Sequence, residues 1–212
     1  DWTIDGADMH SSVTGNVGIG TTTPATELDV SGTITATGLT VPGDSLITDS
    51  DIPHNTFLGL GAGITNTGAS NTGLGHNALR ISTGGSNTAI GWGTLTNNTT
   101  GSQNTAVGNS ALQNNTTGVF NTALGLGALK DNTEGDRNTA TGYTALRNNT
   151  TGIGNVANGW GALAGNTTGG QNHAIGYNSL VSNTAGSGNC TLGGGTLNKN
   201  IDGDYNIAIG HA

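Results

Sequence analysis

The sequence contains few of the residues from which globular proteins build a core. Of its 212 residues, 8% are charged and 4% are aromatic, whereas glycine alone accounts for 39. An ordinary globular core needs more leucine, isoleucine, valine and phenylalanine than the chain supplies. The chain therefore buries little apolar surface by itself, and a conventional globular domain is excluded.

Long hydrophobic runs and paired cysteines are also absent. No apolar run approaches the roughly 18 residues of a membrane-spanning helix. The first ten residues lack the pattern of a signal peptide, so the sequence does not indicate an export route. The single cysteine, Cys190, cannot form an intrachain disulfide and stands where most units have threonine. We expect it to fill that position as a small side chain.

Basic residues are scarce, and where they occur they are matched by an equal number of acidic residues. Residues 1–54 hold eight acidic residues and no lysine or arginine, and residues 55–212 hold five acidic and five basic residues. A basic groove for nucleic acid and attraction to anionic membranes are therefore not expected.

A repeated unit of 16 or 17 residues occupies three quarters of the chain. Each unit has the pattern N-T-A-h-G-x-x-A-L-x-x-N-T-T-G-x-x, where h is usually a branched aliphatic residue. The units begin at Asn55, Asn71, Asn87, Asn104, Asn121, Asn138, Asn155, Asn172, Asn189 and Asn206. A register this regular favours stacked coils over disordered low-complexity sequence.

Glycines and short apolar segments define the parts of one coil. The glycine after h is expected to make one turn, where a side chain would obstruct the backbone. The later glycine, such as Gly118, is expected to make the other turn. Two strands would complete the coil, one over N-T-A-h and one around the A-L pair, as in Ala111 and Leu112. The turn glycines of the regular units are Gly91, Gly108, Gly125, Gly142, Gly159 and Gly176.

Stacking places equivalent residues above one another at about 4.8 Å. We expect the h column and the leucine column to form the core. The constant asparagine column is expected to form a ladder of side-chain amides. Alanine and threonine on the opposite strand face would leave a flat surface on which further copies pack in a parallel cyclic assembly.

Residues 1–54 are expected to form a stalk or connector, ahead of a repeat domain over residues 55–212. Residues 1–15 have no clear period and suggest a lead-in segment. Strand-like alternation occurs over residues 17–19 and 34–37, and Pro24 opens a possible turn or short helix over residues 25–30. Residues 46–55 have the composition of a polar connector.

Two resemblances follow from these segments. The units NTAIGWGTL, NTAVGNSAL, NTALGLGAL and HAIGYNSL resemble the head repeats of YadA-like trimeric adhesins, although the family unit is shorter and NNTTG would then form a longer loop. The segment GNVGIGTTTPATELDVSGTITATG is similar to segments of phage tail fibres and phage-derived surface fibres, commonly ahead of a self-cleaving chaperone domain. The first resemblance implies left-handed parallel β-rolls assembled as trimers.

Catalytic and metal-binding patterns are weak. The five histidines show no metal-ligand spacing, and no nucleophile motif accompanies them, so we expect neither an enzyme nor a cofactor. Three copies of His173 near a trimer axis offer an ion site, but simple substitution of a threonine is the favoured interpretation. Asp202 and Asp204 suggest a calcium loop that lacks its other carboxylates, and a solvated turn is favoured there.

Aromatic residues cluster at the position after the first turn glycine. Trp92, Tyr143, Trp160 and Tyr177 occupy it, the last three in successive units. Such a strip can stack on sugar rings, because aromatic faces supply contact area at low entropic cost. The alternative, which we favour, is an aromatic column that stacks on itself or packs across a subunit interface.

The sequence thus predicts an all-β fold, a left-handed parallel β-roll (solenoid) of ten 16–17-residue coils per chain, forming a parallel homotrimer. The predicted function is attachment, as an extracellular tail-fibre or surface-fibre segment that binds a glycan or other envelope receptor. No nucleic acid and no membrane insertion are expected. The alternatives are a structural spacer with the receptor-binding tip elsewhere and, less favoured, ice binding by a threonine face. The chain stops within its tenth unit at Ala212, as a processed product or a section of a longer fibre would.

Overall fold

The computed structural model describes residues 54–212 in full and, before them, the backbone of five short strands. These are β1 (Trp2–Asp5), β2 (Asp8–Ser11), β3 (Val17–Ile19), β4 (Leu28–Val30) and β5 (Thr48–Asp49). The chain divides into two units, residues 1–44 and 45–212. The boundary expected from the sequence, after residue 54, falls inside the second unit.

Two small sheets form the described part of the first unit. β1 and β2 pair antiparallel, with Trp2 opposite Ser11, although residues 1–15 show no strand period. β3 and β4 pair parallel, with Val17 opposite Leu28. The strand expected over residues 17–19 is therefore present. The prediction of a turn or short helix over residues 25–30 is wrong for a helix that reaches residue 30. The last three residues alternate apolar, polar, apolar and form β4. The strand predicted over residues 34–37 lies outside the described residues.

The second unit is a stack of short parallel strands, one from each repeat, with β5 added antiparallel at one edge. Equivalent residues are paired in register: Thr105 lies opposite Thr122 and Val107 opposite Leu124. The strands are β6 (Asn55–Leu58), β8 (Thr72–Leu74), β10 (Thr88–Ile90), β11 (Thr105–Val107), β12 (Thr122–Leu124), β13 (Thr139–Thr141), β14 (Val156–Asn158), β15 (His173–Ile175), β16 (Cys190–Leu192) and β17 (Ile207–Ile209). The predicted all-β solenoid is confirmed, with about nine complete turns between its first and last strands.

Most coils contain one strand, so the second strand predicted around the A-L pair is wrong for the 17-residue units. Leu112 has a φ of 49°, and the equivalent leucines have φ between 46° and 54°. This left-handed conformation ends a strand. The backbone still bonds to the next coil, because the Leu112 amide donates to the Ala128 carbonyl at 3.0 Å. A second strand forms only in the 16-residue units, as β7 (Thr65–Asn66) and β9 (Ile81–Ser82).

The core is built from leucine and alanine, and the prediction that the h column lies inside is wrong. The alanine at the middle of the strand points inward, as Ala106 and Ala123 do, and both are buried. Since side chains alternate along a strand, the flanking threonine and h residues must point outward. Leu124, the h residue of β12, is accordingly 48% exposed. The buried core leucines are Leu79, Leu95, Leu112, Leu129, Leu146, Leu163 and Leu180.

Two columns of buried asparagine fill the rest of the interior. The first column is the one predicted from the sequence, formed by the asparagine that begins each unit. In it, the backbone amide of Asn104 donates to the side-chain oxygen of Asn87 at 3.0 Å. The Asn104 side-chain nitrogen then donates to the Gly118 carbonyl at 2.8 Å. Both bonds recur along the stack, so the backbone amide of each buried asparagine donates to the preceding coil and its side-chain amide donates to the later turn of its own coil.

The second asparagine column lies in the NNTTG segment, which the sequence suggested was only a longer loop. The side-chain nitrogen of Asn115 donates to the Asn98 side-chain oxygen at 2.7 Å and to the Gly118 carbonyl at 3.0 Å. Each amide of the column donates toward its N-terminal neighbour, and the nitrogen of Asn66, at the start of the column, has no acceptor among the described residues. This column is core, not loop.

Glycine is required at both corners for different reasons. The six predicted turn glycines have φ between 126° and 138°, a region that side chains rarely enter. A Cβ on Gly108 would also lie 2.7 Å from the Gly125 carbonyl carbon. Gly118 has no such φ, but a Cβ there would lie 2.5 Å from both the Gly135 oxygen and the Asn115 side-chain oxygen. The coils therefore stack too closely for any other residue.

Candidate functional site

The structure places the four predicted aromatic residues in one column at an outer corner of the solenoid. Each follows a turn glycine, so its side chain leaves the coil where the backbone turns away from the sheet. Trp92 is 51% exposed, Tyr143 and Trp160 are each 47% exposed, and Tyr177 is 60% exposed. Side chains this large and this open are not part of the core.

Three of the four form a continuous stack. The rings of Tyr143 and Trp160 have centroids 5.6 Å apart, those of Trp160 and Tyr177 are 4.9 Å apart, and both pairs are within 11° of parallel. Trp92 lies apart from them and stacks on His76 at 6.0 Å. Asn109 and Leu126 occupy the same column between Trp92 and Tyr143. The candidate strip is thus an aromatic triplet, Tyr143, Trp160 and Tyr177, and a separate pair.

Stacking determines which surfaces of the triplet are open to a ligand. Both faces of Trp160 lie against neighbouring rings, so its edge is the exposed part. Tyr143 and Tyr177 each have one face turned away from the triplet. Gly194 follows Tyr177 in the column and has no side chain to cover that face. Leu126 precedes Tyr143 in the column, so a flat ligand has the outer face of Tyr177 and the shared edge available to it.

Two basic residues near the triplet were not singled out from the sequence. Lys130 and Arg147 line a cleft that also includes Tyr143. Each directly follows a buried core leucine, Leu129 or Leu146, in consecutive units. The pattern was visible as two adjacent cations in one column, but only the structure places that column beside the aromatic one.

The outward side chains of the parallel sheet form a second candidate surface. It combines a threonine column with the h column, whose exposed apolar members include Ile90, Leu124, Ile175 and Leu192. Threonine therefore lies on the outer face, as the sequence predicts, whereas alanine faces inward and the prediction that it lies on that face is wrong. In this sheet only β13 presents two outward threonines, Thr139 and Thr141. A regular double column of threonine is thus not formed.

The residues considered for metal binding do not form a group of three ligands in the described part of the chain. His173 begins β15 and is exposed, and Cys190 is next to it in the threonine column, also exposed. The carboxylate of Asp204 accepts the Ser187 backbone amide at 2.7 Å, which links two coils. Within residues 54–212 and the other described strands, no group of three metal-ligating side chains is found.

Comparison with family models, with curated proteins and with solved structures finds no match for the chain. In the part of the chain that the structure describes, no helix is long and apolar enough to cross a membrane. The geometry of the two surfaces is therefore the basis for assigning a function.

Proposed function

We propose that this protein is a segment of an extracellular trimeric fibre that attaches to a cell surface by binding glycans. The observation that carries the proposal is the aromatic triplet of Tyr143, Trp160 and Tyr177, held open on a rigid corner. In a chain with so few aromatic residues, three exposed rings in successive coils are an unusual concentration of contact area. Aromatic faces and edges of this kind pack against the apolar faces of sugar rings.

The rigidity of the scaffold supports the same function. Each ring is attached beside a turn glycine whose φ and close packing allow no other residue. The rings are therefore pre-positioned, and binding costs little conformational entropy. Binding requires no chemical step, and we propose none.

The outward sheet face supports assembly with further copies of the chain. The face repeats threonine and aliphatic side chains from coil to coil, including Leu124 at 48% exposed, and two other chains around a three-fold axis would bury this apolar area. Three chains then present three equivalent aromatic triplets. Simultaneous attachment of three sites raises avidity without new contacts.

A structural spacer is the second candidate function, and one observation favours it. Trp160 lies between two rings at 5.6 Å and 4.9 Å, so the triplet already satisfies much of its own stacking. In this alternative the aromatic column stiffens the fibre, and the receptor-binding part lies elsewhere.

A glycan array probed with the full chain distinguishes the two functions. Attachment predicts binding to a subset of glycans that is weakened about tenfold or more by Trp160→Ala or Tyr177→Ala, since loss of a stacked aromatic contact typically has that effect. Phe120→Ala is the matched control, because Phe120 is an exposed aromatic residue in another column. Absence of binding above background would leave the spacer as the function.

A further inference from the structure

A cleft of about 150 Å³ opens at the N-terminal end of the aromatic triplet. Three successive coils line it: Asn109 and Ser110 from the first, Leu126 and Lys130 from the second, and Tyr143 and Arg147 from the third. A cavity of this size in another protein accepts a single six-membered ring. The cleft is therefore large enough for one sugar residue.

The charge of the cleft is unusual for this chain. Residues 55–212 contain five basic residues, and two of them, Lys130 and Arg147, line this one cleft. They follow equivalent core leucines in consecutive coils, so their backbones are separated by one coil spacing of about 4.8 Å. Two cations on adjacent coils of one cleft repel each other, and an anion bound between them offsets that repulsion.

Within residues 54–212, no carboxylate forms an ion pair with Lys130 or Arg147. Among the described residues, no aspartate or glutamate oxygen lies within 4.0 Å of the Lys130 or Arg147 side-chain nitrogens. The nearest acidic residue in sequence, Asp131, accepts a hydrogen bond from the Asn114 side chain at 2.9 Å. The Asn114 amide engages one oxygen of that carboxylate, and neither Lys130 nor Arg147 forms an ion pair with it, so both cations can contact an external anion.

The remaining walls suit a sugar ring. Tyr143 and Leu126 are both about half exposed and provide apolar surface. The Asn109 side-chain oxygen accepts a hydrogen bond from the Ser110 hydroxyl at 2.8 Å, which leaves the Asn109 amide nitrogen to donate to a sugar hydroxyl. An aromatic ring, an amide donor and a pair of cations are complementary to a pyranose that carries an acidic group.

We propose that this cleft binds the acidic sugar of a cell-surface glycan, with its carboxylate or sulfate between Lys130 and Arg147 and its ring against Tyr143 and Leu126. The inference rests on the proposed attachment function and specifies the class of glycan. Because the whole chain has a net charge of −8, the selectivity for an anion comes from these two local cations and not from the overall field.

The test is an array that presents each acidic glycan beside its neutral counterpart, with carboxylated, carboxyl-reduced, sulfated and desulfated members. Wild-type protein is expected to bind acidic members about tenfold or more tightly than their counterparts, since a charge-assisted contact contributes about that factor. Higher ionic strength should weaken this binding. The carboxylated and sulfated members show which anion is preferred.

The double variant Lys130→Gln/Arg147→Gln should lose the preference for acidic members. Lys199→Gln, which removes an exposed cation outside the cleft, should keep it. Equal binding of acidic and neutral members, or a preference that survives the double variant, would overturn the acidic-sugar site while leaving glycan attachment intact. Absence of binding to every glycan would overturn both.

Discussion

The side-chain nitrogen of Asn149 donates to the side-chain oxygen of Asn132, 2.8 Å away and 17 residues earlier. The same nitrogen donates to the Gly152 carbonyl at 3.0 Å, and the Asn149 oxygen accepts from Asn166 at 2.7 Å. Asn149 is fully buried. One side chain therefore satisfies buried groups in three successive coils, and the NNTTG segment belongs to the interior.

Removing this amide should destabilise the solenoid. Asn149→Ala leaves buried donors and acceptors of the neighbouring coils without partners and is expected to lower the free energy of unfolding by about 3 kcal/mol. The matched control is Asn148→Ala, because Asn148 is the preceding residue and is exposed. Its effect should stay within about 0.5 kcal/mol. Urea denaturation followed by circular dichroism measures both, and equal effects would contradict a buried ladder.

The orientation of the strands predicts different effects for two leucines of one coil. Leu129 is fully buried, whereas Leu124 is 48% exposed on the sheet face. Leu129→Ala should cost about 2–5 kcal/mol at any protein concentration, because it opens a cavity in the core. Leu124→Ala should act through association, so its effect on the melting temperature should depend on protein concentration. A large, concentration-independent loss for Leu124→Ala would mean that the h column lies inside.

Alanine substitutions at two glycines of neighbouring coils are also expected to differ in their cost to stability. Gly108→Ala puts a Cβ 2.7 Å from the carbonyl carbon of Gly125 at a φ of 126°, so it should cost several kcal/mol, on the order of 3 or more. Gly127 has a φ of 66°, and a Cβ there would contact only Thr144, at 3.6 Å. Gly127→Ala should therefore cost about 1 kcal/mol. Thermal unfolding of the two variants tests this difference.

The period, the corners and the first asparagine ladder could be predicted from the sequence because each depends on one residue type that recurs at a fixed position. Gly108 and Asn104 have equivalents in every unit. Their roles follow from local physics, namely a backbone conformation and a stacked amide. Neither role requires knowledge of which way a side chain points.

The orientation of the strand was predicted wrongly because the larger apolar residue was assigned to the interior. A coil of 17 residues has little internal volume, and leucine with two asparagines already fills it. The sequence held a signal for the correct orientation. The h column includes Thr141 and Asn158, whereas the inward position is alanine in every unit from Ala89 to Ala174.

The candidate site was predicted in part. Tyr143, Trp160 and Tyr177 share a column that the repeat register reveals, so their proximity followed from the sequence. The exclusion of Trp92 from the triplet follows from the same register, through Asn109 and Leu126. The cleft beside Tyr143 could not be predicted, because the distance between the aromatic column and the column of Lys130 depends on how the corner folds.

Lysine substitutions at two equally exposed leucines test whether copies of the chain associate through the sheet face. Leu124 lies on the sheet face and is 48% exposed, and Leu126 lies at the corner and is 49% exposed. Leu124→Lys would bring charges together inside the proposed assembly and should convert it to smaller species on gel filtration. Leu126→Lys should leave the elution unchanged. Dissociation by Leu126→Lys alone would place the interface at the corner.

The mass of the protein in solution tests most directly whether three chains assemble. One chain has a mass of 20.9 kDa, so light scattering at micromolar concentration should give three times 20.9 kDa, about 63 kDa. A mass of 20.9 kDa under those conditions would contradict the assembly.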